Sequence, residues 1–294
     1  MLLAAPSRPS GRAALWASAA AVGAALMLSG ALAAPAAHAD DPASYTGIVL
    51  GVASNETQRT VSWYTSADTS QVVQLAPTSA VVNGEFVASV TTFAATGAAN
   101  VSTTGYNRHA VLSGLQENTQ YSYRVGSDGN WSPTYSFKTQ SFEGDFDFLF
   151  FGDPQIGSSG NVAKDGAGWA DTMNVALTAN PNAELLVSGG DQVETANTEA
   201  QWDAFLAPDQ LRQYPWAATI GNHDVGGKAY EQHFYTPNTD YSSAYYKDPT
   251  KTATTSGGDY WYIYKDVLFI DLNSNSYDSA NGGGDAAHVQ YVTD

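Results

Sequence analysis

From about Tyr45 to Thr139 the chain is a succession of short apolar or alternating runs. Ile48–Leu50, Val61–Tyr64 and Val72–Leu75 are examples, separated by clusters of Asn, Ser, Asp, Thr and Gly. Tyr121–Gly126 alternates, which predicts a strand with Tyr121, Tyr123 and Val125 on one face. No helical period lasts beyond a turn or two, so this stretch predicts a small antiparallel sandwich.

Gln140–Gly144 is a short polar link, and beyond it the period changes. Phe146–Phe151 is apolar apart from Asp147 and ends at Gly152-Asp153. A helix is predicted over Trp169–Leu177, stopping near Asn180-Pro181, then a strand over Glu184–Val187 ending at Gly189-Gly190-Asp191. A second helix fits Glu199–Leu206, and Pro215–Ile220 is a third strand entering Gly221-Asn222. Asp153, Asp191 and Asn222 stand 38 and 31 residues apart, which suits strand–helix–strand crossovers of a parallel sheet. The carboxyl ends of such strands open on one crevice, so the three polar ends are expected to converge. A loop-rich stretch from Gly226 to Gly258 follows. Next come two aromatic strands, Tyr260–Tyr264 and Val267–Leu272, joined by Lys265-Asp266 as a tight hairpin. The glycine-rich turn Asn281–Asp285 then opens a helix at Ala286, with no capping signal at its far end.

The first 39 residues read as a targeting leader. Arg8 and Arg12 precede the Ala-rich apolar stretch Ala13–Ala33, and Ala37-His38-Ala39 has the small-x-small form of a cleavage site. Export to the outside of the cell, with no membrane segment after cleavage, is therefore expected. The chain has no Cys, so thiolate catalysis, Cys-based metal sites and disulfides are excluded. A net charge of −17, with only 12 Lys and Arg, argues against nucleic acid as a partner. A small phosphorylated substrate remains compatible, because bound metal ions reverse the local field.

Asp153 and Asp191 are carboxylates at the ends of neighbouring buried strands, where an uncompensated pair of charges is costly. A shared pair of metal ions resolves that conflict, and Asn222 adds a neutral oxygen donor. Two metals about 3.5–4 Å apart can activate water and support in-line displacement at phosphorus. Mixed oxygen and imidazole ligation suits Fe, Zn or Mn.

Leu112–Leu115, Thr119–Gly126, Trp131-Ser132 and Phe137–Thr139 resemble the closing strands of a fibronectin type III-like domain, and more narrowly the N-terminal domain of purple acid phosphatase-like proteins. Phe151–Gln155, Gly189–Glu194 and Gly221–Asp224 look like the motifs of the calcineurin-like metallophosphoesterase superfamily. The resemblance implies an all-β sandwich over residues 40–140, then an α/β catalytic domain over 141–294, an α/β/β/α sandwich only begun in this chain. It implies that Asp153 binds one metal, Asp191 bridges two and Asn222 binds the second. His223 would contact the substrate phosphate and assist the leaving group, oriented by Asp224. The activity implied is phosphoester hydrolysis, as a phosphomonoesterase of acid-phosphatase type or as a phosphodiesterase.

Two positions depart from the pattern. Gln155 stands where many members have His, and Glu194 where purple acid phosphatases have Tyr, so no purple chromophore is expected. Gln155 can ligate through its amide oxygen or orient a water; Glu194 can ligate or cap the following helix. His109, His233 and His288 read as packed or surface histidines, and no Gly-His-x-His motif follows His223. The chain therefore reads as C-terminally truncated, and residues 40–294 alone are expected to hold metal loosely and to be inactive. The rival reading is a non-catalytic surface or adhesion protein carrying a degenerate enzyme domain.

Overall fold

The computed structural model describes residues 42–241, 246–276 and 286–293. The leader expected over residues 1–39 and the Asn281–Asp285 turn lie outside them. The N-terminal region is a two-sheet sandwich. One sheet contains β1 (Tyr45–Val52), β2 (Arg59–Thr65) and β5 (Tyr106–Leu112). The other has the order β7–β6–β3–β4, built from β3 (Val72–Pro77), β4 (Thr91–Ala94), β6 (Gln120–Ser127) and β7 (Tyr135–Lys138). Leu50, Val61, Trp63 and Leu112 from the first sheet interleave with Val73, Leu75, Tyr123, Val125 and Phe137 from the second. Period-2 alternation supplies both walls of this core.

Every residue of β2 is buried, although its sequence alternates. Val61 and Trp63 enter the sandwich core, while Thr60 and Ser62 face a narrow cleft shared with Trp216, Ala218 and Phe234 of the following region. The two regions also share a sheet. Gly51 of β1 pairs in parallel with Trp216 of β10 (Trp216–Ala217), giving a six-stranded order β8 (Asp147–Phe151), β9 (Ala183–Ser188), β10, β1, β2, β5. Tyr123 Oη adds a tie by donating to the Arg212 carbonyl at 2.9 Å.

Within that sheet β8 (Asp147–Phe151), β9 (Ala183–Ser188) and β10 run parallel. Helices α1 (Val162–Ala179) and α2 (Glu199–Leu206) cover one face, where Trp169, Met173, Trp202 and Phe205 pack on Leu186 and Trp216. On the other face Leu185 and Ala217 meet Tyr260, Tyr262 and Tyr264 of β11 (Tyr260–Tyr264). Strand β11 pairs antiparallel with β12 (Val267–Asp271), a second sheet of two strands. The turn between them holds Lys265 and Asp266 at φ 48° and 62°, the left-handed pair that a two-residue hairpin requires. Lys265 Nζ, nearly buried, is neutralised by the Glu184 carboxylate at 2.8 Å, which also accepts from Tyr264 Oη at 2.9 Å. The described part is thus helix layer, sheet and second sheet.

Helix α1 begins seven residues before the expected Trp169. The Asn161 side chain caps it, accepting from the Lys164 amide at 3.0 Å. Gly166 and Gly168 mask its period in the sequence, and Gly166 brings the helix against α2, where an added Cβ would stand 3.0 Å from Ala204 Cβ. The third strand is shorter than expected, two residues rather than six. Past Ala217 side chains replace the ladder: Tyr230 and Tyr260 hydroxyls donate to the Ala218 carbonyl, and Gln192 Nε2 donates to that of Thr219. The stretch 226–258 carries two short helices, α3 (Ala229–His233) and α4 (Pro249–Thr252), and the final described helix is α5 (Ala286–Thr293). Among the described residues no helix is long and apolar enough to cross a membrane.

Candidate metal-binding active site

The ends of β8, β9 and β10 meet backbone to backbone, which is why β9 and β10 end in glycine. A Cβ on Gly189 would sit 3.2 Å from Gly152 Cα, and one on Gly190 would sit 2.9 Å from Gly221 Cα. One on Gly221 would lie 2.0 Å from Asp191 Oδ1. No side chain other than hydrogen fits at Gly190 or Gly221, whereas Gly152 leaves room for a Cβ, 3.9 Å from Phe150 Cε1. Hydrogen bonds lace them further: the Gln155 amide donates to the Asp191 carbonyl at 2.8 Å, and the His223 amide donates to Asp191 Oδ1 at 2.9 Å. Asp153, Gln155 and Asp191 all hold left-handed backbone, at φ 50°, 43° and 49°. For non-glycine residues such conformations cost on the order of 1–3 kcal/mol each and gather at functional sites.

All the residues singled out in the sequence lie on these converging turns or just beyond them. Asp153 and Asn222 are exposed, whereas Asp191 is buried but for one edge. Asp224 is fully buried, and its carboxylate accepts from the amides of Gly221 at 2.9 Å and of Gln192 and Val193 at 3.3 Å. Burial pushes this carboxyl up to about 6 against those three amides, which pull the other way. Asp224 therefore knits the second turn to the third. It does not orient the His223 ring by a side-chain bond, as the resemblance implies.

Other groups hold that ring. His223 Nδ1 donates to the Glu194 carbonyl at 2.9 Å, so in the neutral imidazole Nε2 is the acceptor. Gln155 Nε2 lies 3.1 Å from that Nε2 and 2.8 Å from Glu194 Oε2, placing its two hydrogens on the imidazole and the carboxylate. The Glu194 carbonyl, followed by the Asp191 and Glu194 carboxylates, raises the His223 pKa; burial opposes it. Gln155 and Glu194 are thus engaged with each other and with His223. Gln192 lies inside the second motif, and its residue type alone does not mark it as structural. Fully buried, it ties Ser188 Oγ to the Thr219 carbonyl and so fixes the spacing of two strand ends. An open groove of about 600 Å³ runs from Asp153 past Pro154, Ser158 and Lys164 to Trp169.

His109, His233 and His288 are used elsewhere. His109 bonds Thr96 Oγ1 and stacks on Tyr235, His233 bonds Glu199, and His288 Nε2 lies 3.2 Å from Asp259 Oδ1. Asp153, Asp191 and Asn222 have the hard oxygen chemistry that Fe, Zn or Mn accept. Yet among the described residues no group of three or more His, Asp or Glu side chains gathers closely enough to hold a metal ion. The set fits a metal in kind and falls short of it in number.

Comparison with known proteins gives two family matches. Residues 45–139 match the purple acid phosphatase N-terminal domain, and residues 146–286 match the calcineurin-like phosphoesterases, a family that uses a dinuclear metal centre. Among solved structures, purple acid phosphatase PPD1 from yellow lupin (Lupinus luteus) seeds shares the fold at a TM-score of 0.58 and 16% identity. The match covers 78% of this chain and 45% of the lupin chain, so this chain spans less than half the length of that relative. A structure of PhoD matches at a TM-score of 0.44 and 15% identity, over 79% of this chain and 53% of PhoD. A search of the curated proteins found no match. The chain therefore carries a purple acid phosphatase N-terminal domain followed by a calcineurin-like phosphoesterase domain.

Proposed function

We propose that these residues form one side of the active site of a secreted, metal-dependent phosphoesterase, acting as a phosphomonoesterase on a small phosphorylated substrate. One observation carries the reading. Three strand-end turns, two of them packed without room for a Cβ at Gly190 and Gly221, hold Asp153 and Asp191 in costly left-handed backbone beside Asn222. In this reading Asp153, Asp191 and Asn222 donate to two metal ions, Fe, Zn or Mn, together with donors the described residues do not include. When bound, such metals supply charge neutralisation at phosphate and activation of water. His223, its ring fixed by the Glu194 carbonyl and Gln155, faces the substrate phosphate and serves the leaving group. Asp224 holds the turn that carries His223.

A second reading, a non-catalytic surface protein, is favoured by the Gln155–Glu194 bond and by the shortage of a third His, Asp or Glu. The product of the complete reading frame is assayed with p-nitrophenyl phosphate and bis-p-nitrophenyl phosphate, with Mn²⁺, Zn²⁺ or Fe²⁺ added. Metal-dependent turnover of the monoester that disappears in Asp191→Ala supports the first reading, and faster diester turnover moves it to a phosphodiesterase. No turnover at saturating metal supports the second.

A further inference from the structure

Ala218 to Ile220, the last residues before the third turn, have left the strand ladder, and side chains hold all three of their carbonyls. Tyr230 and Tyr260 hydroxyls donate to that of Ala218 at 2.8 and 2.9 Å, and Gln192 Nε2 to that of Thr219 at 2.8 Å. Asn275 Nδ2, just past the end of β12, donates to that of Ile220 at 3.3 Å. Asp271 takes the one polar side chain of this stretch, its Oδ2 accepting from Thr219 Oγ1. Tyr260 and Asp271 face each other across β11 and β12, so one cross-strand pair grips two consecutive residues.

Packing does not ask for a carboxyl at this position. Tyr262 and Phe269, the next pair on the same face of the hairpin, are aromatic, and Asp271 Oδ1 is buried without a hydrogen-bond partner. A carboxylate held in this way costs stability, which an apolar side chain there would not. Its one hydrogen bond goes to Thr219, three residues before Asn222. Nothing between them can absorb a shift. A Cβ on Gly221 would stand 2.2 Å from the Asp191 amide nitrogen, and the His223 amide is already bound to Asp191 Oδ1 at 2.9 Å. Movement at Thr219 is therefore passed on to Asn222 and His223.

We propose that Asp271 is a positioning residue for the candidate site. Through Thr219 it sets how far the third turn reaches towards the other two, and so where Asn222 and His223 stand. The consequence for metal rests on the phosphoesterase reading; the placement of the turn does not.

The test is a set of amide spectra of the ¹⁵N-labelled full chain, first without metal. Asp271→Ala and Thr219→Val are expected to move the amide signals of Gly221, Asn222 and His223 and to leave those of Gly152 and Asp153 in place. The double variant should move them no further than either single one, because both changes break the same bond. Asp271→Asn, whose amide oxygen can still accept from Thr219, should restore the wild-type positions. With Mn²⁺ added, Asp271→Ala is expected to bind about tenfold more weakly, the lower end of the effect of groups that orient ligands. Should Asp271→Ala not fold, Thr219→Val carries the comparison. Third-turn amides that stay in place, an Asn variant as displaced as the Ala one, or undiminished Mn²⁺ affinity in both variants overturns the proposal. A wild-type chain that takes up no Mn²⁺ counts against the phosphoesterase reading, and the metal-free spectra then decide the role of Asp271 alone.

Discussion

Gln155 Nε2 donates to Glu194 Oε2 at 2.8 Å, joining the two positions at which this chain departs from its family's pattern. The same amide nitrogen lies 3.1 Å from His223 Nε2, so both bonds of this side chain use its nitrogen and steady the imidazole. The pair therefore acts on the imidazole. Gln155→Ala is expected to lower Mn²⁺ affinity less than Asp191→Ala does, by calorimetry, because it removes a neighbouring contact and no ligand. Asp191→Ala should lower that affinity at least tenfold. A Gln155→Ala loss as large as that of Asp191→Ala makes Gln155 a ligand.

Gly221 is held by space rather than by its own backbone angles. A methyl group there would stand 2.0 Å from Asp191 Oδ1 and 2.2 Å from the Asp191 amide nitrogen. The backbone cannot yield without moving both turns. Gly221→Ala is expected to destabilise the fold by about 1–3 kcal/mol, the usual cost of overpacking, and to abolish metal binding. Urea unfolding and metal titration read the two effects separately.

Asp271 gives the fold a pH dependence. Its Oδ1 is buried without a partner, its Oδ2 meets Thr219 Oγ1, and burial pushes the carboxyl from 3.8 up to about 7. Thr219 opposes that shift and Asp259 adds to it. The raised value means that this carboxyl favours the fold fully below about pH 4, and that the contribution is lost as pH rises to about 7. Asp271→Asn, a neutral stand-in, should therefore be more stable than wild type at pH 8, by roughly 1–3 kcal/mol. The gap should close towards pH 4. Denaturant midpoints across that range check it, and a gap that widens in acid contradicts the assignment.

The outer edge of β8 is a further liability. Phe148 and Phe150 are 46% and 64% exposed on a strand with no neighbour on that side among the described residues. Such an edge invites strand pairing between molecules. Phe150→Thr should reduce concentration-dependent light scattering while moving the Tm little, because this side chain buries little area. Unchanged scattering places the sticky surface elsewhere.

Much of this was legible in the sequence because apolar runs that end in Gly-Asp or Gly-Asn mark strand ends wherever they occur. Asp153, Asp191 and Asn222 were placed on adjacent turns by spacing alone, and the Lys265-Asp266 hairpin by its length. What stayed hidden depended on contacts between distant residues. The engagement of Gln155 by Glu194 spans 39 residues and requires left-handed backbone at Asp153 and Gln155, which their residue types do not announce. The brevity of the third strand arises from tyrosine hydroxyls that reach the Ala218 carbonyl from 12 and 42 residues away. The full burial of β2 follows from a sheet shared across the two regions through Gly51 and Trp216, which no local period encodes.

The central claim is that three separate turns make one metal-facing surface. Adding Mn²⁺ in small steps to the ¹⁵N-labelled chain tests it directly, because the paramagnetic ion broadens only the amides near which it resides. The account predicts that the amides of Asp153, Asp191 and Asn222 broaden first and together, and that Asp191→Ala removes the effect at all three. Broadening spread evenly over the acidic surface, or confined to one turn, contradicts it.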